Sequence, residues 1–320
     1  MKRILQASLF AVALVIAASA LPEGGALAQA NAALQAGEAD RALDMLASLP
    51  ANADTQNLRC RVLYTLELWD PAAGACQQSV NLDGQKSDYH MWLGRTLGEK
   101  ADRASFLTAF SLGKRVRIEF ERAVQLDPRN AEALSDLGEF YYDAPSIVGG
   151  GVDKARAVAE QLDKVDPARA HELRARIASQ SRDDATAERE FKSAIAVSDH
   201  PAFQWMSLAS FYRRRERWSE MEAAVESGLR AAQRDRHAGV ALYNGASVLI
   251  QSDRNPELAA RMLRAYLDGA SKTEEAPAFV AHTRLAQLDA KMGDFEGARH
   301  ERAEAIALAK EYQPAQNLKF

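Results

Sequence analysis

Only two cysteines, Cys60 and Cys76, occur in the 320 residues, and glycine and proline are sparse at 18 and 10. Two cysteines exclude a disulfide framework or a thiolate metal cluster and leave room for one bridge at most. Scarce glycine and proline leave few forced breaks, so long helices are allowed. Stretches that alternate with period two are also rare, which argues against a sheet. After residue 20 no apolar run approaches the ~20 residues that a membrane-spanning helix needs. Positive charge is not in excess either. With 40 Lys and Arg against 44 Asp and Glu, the formal net charge is −4, so the chain has little overall attraction to nucleic-acid phosphates.

Catalytic signatures are missing as well. The six histidines (His90, His171, His200, His237, His282 and His300) form no H-E-x-x-H and no i, i+4 pair. No G-x-S-x-G or G-x-G-x-x-G occurs, and the triplet Gly149–Gly151 is not followed by the Gly-Lys-Ser/Thr of a phosphate loop. No residue is nominated as catalytic, and no metal or cofactor is expected.

One segment does stand apart. Met1-Lys2-Arg3 is followed by the apolar stretch Leu9–Ala20 and by "ALAQA" at 26–30. A basic start, a short apolar centre and a small-x-small site are the features of a secretory signal peptide. The expected leader is 1–28, cleaved after Ala28, with Ala30 as the alternative. The mature chain is then expected to be periplasmic or secreted, without a membrane span.

What the chain has in abundance is a spacing. Around Ala209, Trp205 stands four before, Leu208 one before and Tyr212 three after, with Met221, Val225 and Gly228 at twelve, sixteen and nineteen after. From Cys60 the same count reaches Ala72, Cys76 and Ser79; from Ala175, Ala187, Phe191 and Ala194; from Ala286, Ala298, Arg302 and Ala305. Cys60 to Gly94 and Ala175 to Ala209 are both 34 residues. With this period, "WMSLASFY" (205–212) and "FERAVQLDPRN" (120–130) resemble the two halves of the tetratricopeptide repeat (TPR) pattern. Small residues at the anchor and twelve after it let two antiparallel helices approach. Bulky residues at helical spacing fill the space between neighbouring helices.

The resemblance implies an all-α, right-handed superhelical solenoid of about eight antiparallel helix pairs. They are expected at 29–49, 54–83, 87–128, 130–167, 168–199, 201–232, 238–270 and 276–311, with the first pair frayed and 312–320 a flexible tail. Two insertions interrupt the repeat, near 98–115 and 143–152. Trp205 and Trp218 are expected to be packing residues, as are His90, His171 and His282, which sit four before their anchors. The basic runs at 114–117 and 213–217 read as solvated surface.

Three sets of site residues follow. In the TPR packing Cys60 and Cys76 face each other across a helix pair. In an oxidising compartment they are expected to form a disulfide; the alternative is two buried thiols. Phe106, Leu107 and Phe110 of the first insertion either pack on Pro145, Ile147 and Val148 of the second or form an apolar docking edge with Ile147. Positions −3, +1 and +4 of the first helices are expected to line the concave groove. These are Asn57, Arg61 and Tyr64; Met91, Arg95 and Gly98; Ser135, Glu139 and Tyr142; Glu172, Arg176 and Ser179; and Met206, Ser210 and Arg213. Arg61, Arg95, Arg176 and Arg213 would pair with a partner's carboxylates, and Tyr64 and Tyr142 would supply flat contact. The function expected is a non-enzymatic scaffold of the bacterial envelope that binds a protein or peptide segment, not nucleic acid, with no cofactor. The alternative is a small-ligand-binding accessory component of an uptake system, using the insert edge and Trp92.

Overall fold

Polar side chains start many of the helices. Asn52, Asn130, Asp166, Asp183, Asn255 and Asp294 each accept a hydrogen bond from the backbone N–H three residues on, at 2.8–3.2 Å. Each such cap satisfies an otherwise unpaired donor and contributes about 1 kcal/mol. Pro167, Pro201 and Pro256 occupy first-turn positions, where no backbone N–H is needed.

A computed structural model of the chain describes residues 23–320, and the larger part of the expected leader, residues 1–22, lies outside the described residues. The described residues form helices only, packed as successive antiparallel pairs. They are α1 (Glu23–Ala36) with α2 (Ala39–Ala47), α3 (Ala53–Thr65) with α4 (Trp69–Leu82), α5 (Ser87–Asp102) with α6 (Phe106–Leu126), and α7 (Ala131–Asp143) with α8 (Val152–Leu162). There follow α9 (Pro167–Gln180) with α10 (Asp184–Val197), α11 (Pro201–Arg214) with α12 (Trp218–Ala232), α13 (Gly239–Gln251) with α14 (Pro256–Asp268), α15 (Ala278–Lys291) with α16 (Phe295–Leu308), and the short α17 (Gln313–Gln316). The first helices of successive pairs touch one another from α3 through α13 and make the inner wall. The fold is an all-helical array of successive antiparallel pairs, as the repeat spacing implies.

Close approach explains the small anchors. A Cβ on Gly94 would stand 2.5 Å from the Phe120 ring, so α5 and α6 could not pack as they do with any side chain there. The anchors Cys60, Ala175, Ala209 and Ala286 are all fully buried. Trp205 and Trp218 are half-buried against the same core, as packing residues.

The turns between paired helices follow one rule with two exceptions. Six of the eight pairs place a residue in the left-handed region: Gly37, Glu67, Arg182, Glu216, Asp253 and Gly293. The third and fourth pairs have none at that place, and these carry the insertions. The first insertion continues as helix, lengthening both α5 and α6. The second holds a 3-10 turn at Ser146–Val148 before α8. Gly149, at φ 104°, closes that turn, a conformation glycine adopts without cost.

Two expectations about the ends are corrected. The expected tail is not loose: Tyr312 is 3% exposed, Ala315 is fully buried and Phe279 packs edge-on to Tyr312 at 4.9 Å. Nor is the first pair frayed, since Ala30, Ala33, Leu34, Ala39, Ala42 and Leu46 are buried. One cause accounts for both. The array curves until its end meets its start, and a single apolar cluster joins α1–α3 to Phe279, Ala305, Ala309, Tyr312 and Ala315. Lys310 N–H donates to Asp40 at 3.0 Å, and the Tyr312 hydroxyl donates to Glu67 at 3.4 Å. Closure covers apolar surface that an open array would leave to water.

Candidate functional site: an apolar trough and a two-sided inner wall

The inner wall of the first repeats is already occupied by the chain itself. Arg61 makes a two-pronged ion pair with Glu274, which sits in the loop after α14, and donates to Asn31 at 3.2 Å. The Glu274 N–H and the Gln35 side chain hold that loop in place at 3.2 Å. Arg95 forks onto Asp136 (2.6 and 3.3 Å) and reaches Glu132 at 3.1 Å. Burial pushes Asp136 above the ordinary carboxylate range even though Arg95 draws it down. Trp92 lies beneath both guanidinium groups, 5.7 and 4.8 Å from its ring centre. Tyr64 is wedged edge-on between Trp69 and Trp92, and burial raises its phenol. Arg61 is thus engaged across the ring closure, and Arg95 and Tyr64 are engaged between neighbouring repeats.

The repeat pattern expects position −3 to open onto the groove, and there the structure differs. Asn57, Met91 and Met206 are only 6%, 4% and 2% exposed. Ser135 and Glu172, at the same position in the fourth and fifth pairs, remain partly exposed, so the position is covered in three of the five pairs. Met206 belongs to the apolar core. Further along, Glu139 is exposed and stands 3.5 Å from Arg176, beside which Tyr142 is half-buried. Arg213 lies on the same wall with its Nε buried and unpartnered.

The two insertions meet on one edge, as their common place in the repeat requires, but they do not close over each other. Val148 is buried beside Gly113 of α6. Phe106, Leu107 and Ile147 remain 81%, 79% and 67% exposed. Phe110 is half-buried with the Lys114 ammonium 4.2 Å from its ring centre. Between the insertions runs an apolar trough of about 500 Å³, floored by Phe110, Val116, Phe120, Phe140 and Val148. Asp102, Glu139 and Asp143 are exposed at its rim. Among the described residues, Asp102 and Asp143 meet no basic group within ion-pair distance. Trp92 is not at this edge; it sits 8% exposed on the inner wall.

Cys60 and Cys76 meet sulfur to sulfur across α3 and α4, their Cα atoms 5.1 Å apart, within the span of a disulfide. The buried Thr96 hydroxyl lies 3.3 Å from the Cys76 sulfur. The three histidines four before their anchors are buried or half-buried, yet each meets a carboxylate: His90 with Glu119, His171 with Glu190 and His282 with Glu301, at 2.6–2.7 Å. Sequence reasoning missed these pairs. A glutamate fifteen residues after the anchor, at Glu190 and Glu301, was the available signal. Among the described residues no group of acidic, His and Cys side chains is placed to hold a metal, and no helix is long and apolar enough to cross a membrane.

No protein-family model matches the chain, and no curated protein matches it in sequence. Among solved structures the chain is similar to a thermophilic TPR protein from Thermus thermophilus. The identity is 22%, over 59% of this chain and 94% of that one, with a TM-score of 0.42.

Proposed function

We propose that the chain is a non-catalytic scaffold of the bacterial envelope that receives a helical segment of a partner protein in the trough between its two insertions. A single observation carries this reading. Phe106, Leu107 and Ile147 present large apolar side chains to solvent on either side of a preformed apolar trough. Contiguous exposed apolar surface of this kind marks an interaction site. The uncompensated carboxylates of Asp102 and Asp143 at the rim define the occupant's chemistry. It is an amphipathic helix with an apolar ridge and Lys or Arg at its flanks.

The concave groove, where the repeat pattern directs attention, is a weaker receptor over its first half because Glu274, Glu132 and Asp136 already neutralise Arg61 and Arg95. Envelope location rests on the leader-like 1–28 segment. Cleavage after Ala28 would leave Gln29–Ala36 of α1 and keep the buried Ala30, Ala33 and Leu34. An acidic chain and an acidic rim both disfavour nucleic acid.

The second reading, a small apolar ligand, draws on the trough's volume, which falls in the range of small-molecule sites. Exposure of Phe106 and Leu107 along the open side favours the segment. Photo-crosslinking from position 147, across the trough, in the native envelope separates the two. The scaffold reading expects crosslinks to a basic, apolar-ridged helix, weakened about tenfold or more by Asp102→Lys with Asp143→Lys, while Phe106→Ser with Leu107→Ser leaves Tm unchanged. Crosslinks that survive both double variants, or a copurified small molecule filling the trough, would overturn it.

A further inference from the structure

The inner wall is electrically uneven along its length. Its first half is compensated, as Arg61 and Arg95 show. Its second half is not. Among the described residues Arg213, Arg214 and Arg284 meet no carboxylate within ion-pair distance, and Arg176 meets only Glu139, at 3.5 Å. Glu172, one turn before Arg176, adds the other nearby negative charge. Four guanidinium groups therefore stand near three carboxylates, Glu139 and Glu172 beside Arg176 and Glu67 acting with Arg284 on Tyr243 and Tyr312, in a protein whose net charge is negative.

Two of these cations, Arg176 and Arg214, line a pocket of about 290 Å³ built mainly by three successive first helices. Arg176 enters from α9; Ser207, Ser210 and Arg214 from α11; Asn244, Ser247 and Gln251 from α13. No carboxylate is among its lining residues. The Arg214 guanidinium donates to Ser210 at 3.0 Å, which leaves the Ser210 hydroxyl proton free to be donated in turn. Arg284 reaches the same rim through Ser247. Partial desolvation, together with the charges of Arg176 and Arg213, holds the solvent-exposed Arg214 below the ordinary guanidinium range. That is the sign of crowded cations without a counter-charge. The buried, unpartnered Nε of Arg213 is a further donor left without an acceptor.

From this we infer that the pocket between α9, α11 and α13 binds a phosphoryl group. Two features select it over a carboxylate. Donors converge from three helices, which suits a tetrahedral set of oxygens better than a planar pair, and the two guanidinium groups in the lining, Arg176 and Arg214, with no carboxylate among the lining residues, match a dianion. The site is separate from the apolar trough, so it stands whether or not the trough binds a partner. Its counter-ion is either a small phosphate ester or a phosphorylated side chain, and one chemistry serves both.

The test uses the full chain at constant ionic strength, titrated calorimetrically and by Tm with inorganic phosphate, O-phosphoserine, acetate and chloride. Phosphate or O-phosphoserine is expected to bind and raise Tm, with affinity at least about tenfold lower in Arg176→Gln with Arg214→Gln. Tighter binding of O-phosphoserine than of inorganic phosphate points to a modified segment; the reverse points to a small phosphate. Ser210→Ala with Asn244→Ala, which leaves the arginines in place, is expected to weaken binding as well and covers the case in which the arginine variant fails to fold. The inference is overturned if neither phosphate probe binds, if acetate binds as tightly, or if a folded variant binds as the native chain does.

Discussion

Cys60 and Cys76 hold the first anchor and the position sixteen after it, where other repeats place Ala209 and Val225 or Ala175 and Phe191. The two side chains therefore meet because the repeat makes any residues at those positions meet, and cysteine only changes what the contact can become. Closing a loop of about 17 residues contributes on the order of 3 kcal/mol by chain-entropy arithmetic. In protein isolated from its native compartment, reduction is expected to add two hydrogens to the intact mass. Cys60→Ser with Cys76→Ser should lower Tm by several degrees. An unchanged mass on reduction would leave two buried thiols. At this scale legibility tracked the period. Residues defined by their place in the repeat, such as Ala209, Cys60 and Trp205, were readable. Those defined by contact across repeats were not. Arg95 is an example, since Asp136 and Glu132 belong to the next repeat.

Six of the eight pairs obey one turn rule, a residue in the left-handed region between antiparallel helices. Where that residue is Glu67, Arg182, Glu216 or Asp253, a side chain stands in a conformation that costs a non-glycine residue about 1 kcal/mol or more. Replacing Glu216 by Gly relieves the strain but loosens the unfolded chain, an opposing effect of roughly 0.4–1 kcal/mol. The expected outcome in urea unfolding is a stability equal to the native chain's or up to about 1 kcal/mol higher. A loss of more than that would show that the turn is held by side-chain contacts and not by its backbone. The two pairs without such a residue directly after the first helix are the two whose turns are rebuilt by insertions, the second of which places Gly149 in that region further on. Their positions were visible as breaks in the count from Gly94 to Pro128 and at "DAPSIVGGGVDKA". Their failure to cover Phe106 and Leu107 was not, because it depends on where Val148 anchors the second insertion.

Across the whole molecule, the decisive event is closure. Tyr312, Phe279 and Ala315 seal the first pair, and the loop carrying Glu274 reaches Gln35 and Arg61 across most of the chain's length. Tyr312→Ala is expected to cost about 3–5 kcal/mol, as for other large buried side chains. Combined with Glu274→Gln it should open the ring, which small-angle scattering would read as a larger radius of gyration. If the double variant keeps the native radius, closure is held by something other than these contacts. Opening would also expose Arg61, and the first half of the inner wall would then regain the uncompensated charge that the second half already has.

By itself the sequence determined the helices, their pairing and the register of the core, since these depend on residues within one period of each other: small anchors, bulky residues at helical spacing, caps and turns. Only the tertiary structure decided how far the array curves, and with it which arginines are neutralised and which apolar side chains stay in water. Curvature is the sum of small rotations over successive pairs, and no single repeat encodes where the last will meet the first.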